Sequence, residues 1–223
     1  MSNLNLKIMG KIPDGIFGGF SGRVGRVVGY QWRGEDLLRK APRKRPKGSG
    51  TARQLEQRDK FAMVMRFLTP IQDVVGVYFG NVYQSKSRFN LAMSYNLTNA
   101  IVEVPGGSFA LDFPRVLLTK GGLRGMESGT VVARAGRILE LNWTDNSGQG
   151  SAAADDFVLV VAYSPVQELF QVFDPAALRS EATVQLTMPT YFNGEEVQVW
   201  ASMVSADRKV AAISSYIGTA VII

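Results

Sequence analysis

Arg137–Tyr163 reads RILELNWTDNSGQGSAAADDFVLVVAY, and its two ends decide the fold. In RILELNWT, Leu139, Leu141 and Trp143 fall on one face of an extended chain, and Ile138, Glu140 and Asn142 on the other, because successive strand side chains point to opposite sides. Trp143 is therefore expected to anchor a core rather than to serve as an exposed ligand platform. FVLVVAY, Phe157–Tyr163, has no charged residue and falls far short of the roughly 18 apolar residues that span a bilayer. It predicts a buried strand, and the polar, glycine-bearing stretch between the two predicts a loop.

Alternating runs continue on both sides: RVLLT (115–119), TVVAR (130–134), ELFQVF (168–173), ATVQLTM (182–188), EVQVWASMV (196–204) and AISSYIGTAVI (212–222). Seven or eight such strands predict an antiparallel β-sandwich over residues 105–223.

Residues 51–104 carry helical signals. TARQ has the form of a capping box, with Thr51 as N-cap and Gln54 at the third helical position. Leu55, Ala62, Met65 and Leu68 then share a helical face, with Phe61 and Val64 on its flank. TPIQDVVGVYFG repeats the device, with Thr69 as cap and Pro70 at the tolerated first position. Phe89, Met93, Leu97 and Ile101 recur every four residues and predict a third helix over about 87–101.

Residues 1–50 differ from both. Glycines at 15, 18, 19, 22, 25 and 29 lead into Val28, Tyr30 and Trp32, which alternate as a strand. RGE supplies a turn and DLLRK a returning strand, Pro42 and Pro46 end the hairpin, and RKRPKGSG reads as an extended basic connector. The expected fold class is α+β: a Gly-rich basic arm with a hairpin (1–50), about three helices (51–104) and a β-sandwich (105–223).

Charge is divided along the same line. Residues 1–60 hold 14 Lys/Arg against 5 Asp/Glu, and residues 61–223 hold 11 against 14. Such polarity attracts phosphate backbones, or joins the basic end of one copy to the acidic body of the next. The chain has no cysteine and no histidine, which removes disulfides, thiolate and imidazole metal ligands, and Ser/His/Asp or Cys/His catalysis. Adjacent acids at Glu35/Asp36, Asp155/Asp156 and Glu195/Glu196 face opposite ways on a strand and make no hydrolytic dyad by themselves. No enzymatic role and no cofactor are expected. The start lacks a continuous apolar h-region, so a cytoplasmic address is the default, with extracellular assembly by a non-classical route as the alternative.

Two loops carry spacings that ligand sites use. GFSG and GRVG match a GxxG backbone clamp, but that clamp needs flanking helices and these glycines lead into a strand. Asp145, Ser147, Gln149, Gly150 and Asp156 fall at positions 1, 3, 5, 6 and 12 of a calcium-loop spacing. Position 12 is a short Asp and strands flank the loop, so a plain inter-strand connection is the preferred reading.

The strand pattern from RILELNWTDNSG through EVQVWASMVSADRKVAAISSYIG resembles fibronectin type III-like domains, which implies a sandwich over roughly 110–223. Glu196 and Val197 stand near where those domains carry a tyrosine before the penultimate strand, so the likeness is one of architecture. The whole chain resembles an uncharacterised bacterial domain-of-unknown-function family. That likeness rests on GIFGGFSGRVGRVVGYQWRG (15–34), QRDKFAMVMRFLTPI (57–71), WTDNSG (143–148) and VSADRK (204–209). It implies helices plus sandwich, a family start at Met9 and no activity.

The basic hairpin is the feature that demands a function. Tyr30 and Trp32 could stack on bases while Arg33, Arg39, Lys40, Arg43, Lys44, Arg45 and Lys47 neutralise phosphates. Alternatively the arm docks on another copy, and the uncharged SSYIGTAVII tail pairs a sheet edge within the assembly. The expectation is a non-enzymatic structural protein forming a homo-oligomer or filament through this arm. Nucleic-acid binding is the alternative, and surface adhesion or glycan binding by the sandwich loops is the third reading.

Overall fold

The structure, a computed structural model, describes residues 9–11, 21–42, 50–82 and 86–223. The chain divides into two units, Met1–Thr51 and Ala52–Ile223.

In the first unit β1 (Met9–Lys11), β2 (Gly22–Val24), β3 (Val27–Trp32) and β4 (Glu35–Lys40) form an antiparallel sheet in the order β1-β4-β3-β2. The hairpin turn is the two residues Arg33 and Gly34, with φ of 54° and 80°. Positive φ at both central positions gives the twist that a two-residue β-hairpin needs. Glu35, read from the sequence as turn, pairs instead with Trp32. Leu37 is the one buried apolar side chain among this unit's described residues.

The second unit opens with α1 (Ala52–Leu68), which starts directly after Thr51 and runs through a 3-10 turn (Thr69–Ile71) into α2 (Gln72–Tyr78). Thr69 is not a cap, contrary to the sequence reading: Leu68 holds the N-cap position, and the Thr69 hydroxyl donates back to the Met65 carbonyl at 2.6 Å. Pro70 sits where a missing amide leaves no partner wanting, and Leu68 and Ile71 are both buried, so packing carries the helix past the apparent stop. The result is one long helical run and a shorter helix, α3 (Arg88–Asn99), capped by Ser87, whose Oγ accepts from the Asn90 amide.

A hairpin of β5 (Ile101–Val104) and β6 (Ser108–Leu111) follows, turning through Gly106 and Gly107 at positive φ. The sequence reading placed Ile101–Val104 at the end of the helical segment and Ser108–Leu111 in the sandwich. RVLLT, expected to be a strand, is not one. Val116, Leu117, Leu118 and Thr119 are buried, and side chains satisfy the middle of the stretch: Asn96 brackets Leu117 with bonds to its N–H and C=O, and the Leu118 amide donates to Ser214 Oγ. Buried polar backbone needs partners, and here they come from α3 and the C-terminal segment instead of a ladder.

Seven further strands are β7 (Glu127–Arg134), β8 (Ile138–Thr144), β9 (Phe157–Ser164), β10 (Leu169–Leu178), β11 (Thr183–Thr187), β12 (Glu196–Val204) and β13 (Ser215–Val221). They make two antiparallel sheets, β11-β8-β7 and β10-β9-β12-β13. The sheets share a core in which Leu139, Leu141 and Trp143 of β8 meet Val158, Val160 and Ala162 of β9 and Val197, Val199 and Ala201 of β12. The opposite face of the four-stranded sheet is apolar too. Val161, Tyr163 and Trp200 pack with Phe67, Leu68, Ile71 and Met93 of the helical region. This second contact explains why every residue of β9 is buried: it lies between a sheet and a helical layer. The fold is therefore α+β in content, mostly antiparallel sheet, and the helical segment and the strands read as separate domains share cores.

Candidate interaction surfaces

The hairpin register sorts the basic and aromatic candidates. Val28 pairs with Arg39, Tyr30 with Leu37 and Trp32 with Glu35, so these six share one face of the sheet. Lys40 pairs with Val27 on the other face, and Arg33 occupies the turn. Arg33 stacks over Trp32 at 4.9 Å from the ring centroid, and Arg39 over Tyr30 at 5.3 Å. Each aromatic thus already holds a guanidinium, an arrangement worth about 0.5–1 kcal/mol at exposed sites. Arg43, Lys44, Arg45 and Lys47 lie outside the described residues, as do Gly15, Gly18 and Gly19.

The calcium-spaced residues have other partners. Asp145 accepts from the Ser147 amide and hydroxyl in a local turn, and Gln149 accepts from Arg124 at 3.3 Å. Asp156 is buried and bound to Arg179 at 2.9 Å. Arg179 also donates to Asn146 and to the Arg124 carbonyl, and its own carbonyl accepts from the Trp143 indole at 2.8 Å. A carboxylate held by a buried guanidinium is satisfied without a cation. The WTDNSG motif ties its loop to Arg179.

A similar local structure explains VSADRK. Asp207 accepts from the Ser205 hydroxyl at 2.7 Å and from the Lys209 amide at 3.1 Å. These bonds, Ser205 first and then Lys209, hold its carboxyl down to about 2. Arg208 reaches Asp174 at 3.2 Å and covers the Phe157 ring.

Sequence reasoning missed a cavity of about 490 Å³ on the second unit, lined by Asp59, Arg66, Phe67, Tyr163, Glu168 and Phe170 among others. The Tyr163 and Phe170 rings lie 4.5 Å apart, and Phe67 meets each of them edge-on at 5.0 Å. Arg66 and Glu168 form an exposed ion pair at 3.6 Å. Burial, then the Glu168 charge, raises the Tyr163 hydroxyl pKa, with Arg66 opposing. No local motif announces this site, because α1, β9 and the β9–β10 turn join only in the folded chain.

No metal-binding group of three or more acidic residues occurs among the described residues, and no described helix is long and apolar enough to cross a membrane. No curated protein matches the chain. The model of the Family of unknown function (DUF6266) matches residues 19–218, nearly the full length, and the chain belongs to that family.

Proposed function

We propose that the chain is a non-enzymatic structural protein that self-assembles into a homo-oligomer or filament through its N-terminal unit. One observation carries this reading. The first unit is a four-stranded sheet with Leu37 as its one buried apolar side chain among the described residues, while Val24 and Val27 stand open on one face and Trp32, under the Arg33 guanidinium, is half-exposed on the other. A small sheet gains independent stability from an apolar face that is covered, and an uncovered apolar set marks a contact surface. The absence of histidine and cysteine supports a role without catalysis.

The second unit reads as a fibronectin type III-like sandwich bearing an added helical layer. Counted from β7, its strands lie in the orders 5-2-1 and 4-3-6-7, the split of three and four strands that such sandwiches use.

The test is to delete residues 1–50 and measure mass by sedimentation equilibrium. Association of the full chain and a monomeric truncation are expected, and unchanged mass refutes the reading. Nucleic-acid binding is the competing outcome. A DNA mobility shift that weakens steeply with salt and disappears when Arg43, Lys44, Arg45 and Lys47 become Ala would assign the arm to phosphates instead.

A further inference from the structure

The cavity beside α1 has the chemistry of a cation site. The aromatic side chains Phe67, Tyr163 and Phe170 and the carboxylates of Asp59 and Glu168 stand in its lining. Ring faces attract ammonium and guanidinium groups through their quadrupole, and a nearby carboxylate adds charge. The lining also holds one cation, Arg66, but its pair with Glu168 is long at 3.6 Å and its side chains are 73% and 59% exposed. Solvated pairs of this kind contribute little and exchange partners readily.

Tyr163 adds a second pointer. The residue is 9% exposed, and its hydroxyl is not among the buried unpartnered atoms, so the oxygen is open to solvent at the cavity. A phenol oxygen has lone pairs to offer a donor.

We propose that this cavity holds an arginine or lysine side chain from the first fifty residues of a second copy of the chain. The inference rests on the self-assembly reading and names its receiving site. Charge complementarity selects this occupant: residues 1–50 hold 11 Lys/Arg against 3 Asp/Glu, while residues 51–223, which include both cavity carboxylates, hold 14 against 16. The docked side chain would displace Arg66 from Glu168 or share the carboxylate with it.

The experiment is a charge-swap complementation on the full chain, read by sedimentation equilibrium at low salt. One variant carries Asp59→Lys and Glu168→Lys. The other carries Arg43→Glu, Lys44→Glu, Arg45→Glu and Lys47→Glu. Each is expected to weaken self-association roughly tenfold or more, and an equimolar mixture is expected to restore a mixed complex. Tyr163→Phe, which changes no charge, is expected to weaken association about threefold to tenfold. If the cavity variant associates like the parent while deletion of residues 1–50 gives monomer, the cavity assignment falls and self-assembly stands. Failure of the mixture to restore association also overturns the cavity assignment. Unchanged mass after the deletion overturns self-assembly itself.

Discussion

Asp156 and Arg179 form an ion pair at 2.9 Å with side chains 2% and 0% exposed. The pair closes a knot that includes Asn146, the Arg124 carbonyl and the Trp143 indole. Replacing one member of a buried pair strands the other. Arg179→Met is expected to destabilise the fold by about 3–5 kcal/mol, and the double variant Arg179→Met, Asp156→Leu to recover part of that loss. Urea unfolding of both single variants and the double closes the cycle. Additive effects would show that the pair is not coupled.

Gly121 is fixed by its surroundings. A Cβ there would stand 2.1 Å from the Ala211 carbonyl oxygen, whereas a Cβ on Gly122 would meet nothing within 4 Å. Gly121→Ala must displace backbone and is expected to cost about 1–3 kcal/mol, with Gly122→Ala within about 0.5 kcal/mol of the parent. Thermal unfolding of the two side by side checks the contrast.

The hairpin turn supplies a local test. Gly34 has φ of 80°, so Gly34→Ala is expected to cost the first unit about 1 kcal/mol and to raise amide exchange in β3 and β4 about fivefold. Arg33→Asn suits the turn better but loses the stack on Trp32. The two effects are of similar size, so little net change is expected.

Asp207 sets a pH dependence with a definite sign. Its folded pKa is depressed from 3.8 to about 2 by the Ser205 hydroxyl and then Lys209. Its contribution to loop order is therefore present above the ordinary carboxylate range and is lost as pH falls from about 4 towards 2. NMR titration of the side-chain carboxyl should show a midpoint near 2 in the parent and a higher one in Ser205→Ala. A parent midpoint at the ordinary value would refute the hydrogen-bond account.

The local patterns legible in the sequence were those whose physics is local. The alternation that turned Leu139, Leu141 and Trp143 inward follows from strand geometry, and all three are buried. The Arg33–Gly34 hairpin and the Ser87 start of α3 likewise follow from a few neighbouring residues. Thr69 misled because cap chemistry and a mid-run Thr-Pro look alike until burial of Leu68 and Ile71 decides between them. RVLLT misled because its apolar pattern matches a strand, while its backbone partners, Asn96 and Ser214, are distant in sequence.

Strand and helix periodicity, the split of charge between the two ends and the exclusion of imidazole and thiol chemistry are written in the order and kind of the residues alone. Tertiary structure decided which faces meet. It placed helices over the second face of β9, turned Asp156 towards Arg179 and gathered Phe67, Tyr163 and Phe170 around one cavity. The physical reason is range: periodicity and charge are properties of neighbouring residues, whereas burial and ion pairing depend on which distant segments exclude water together.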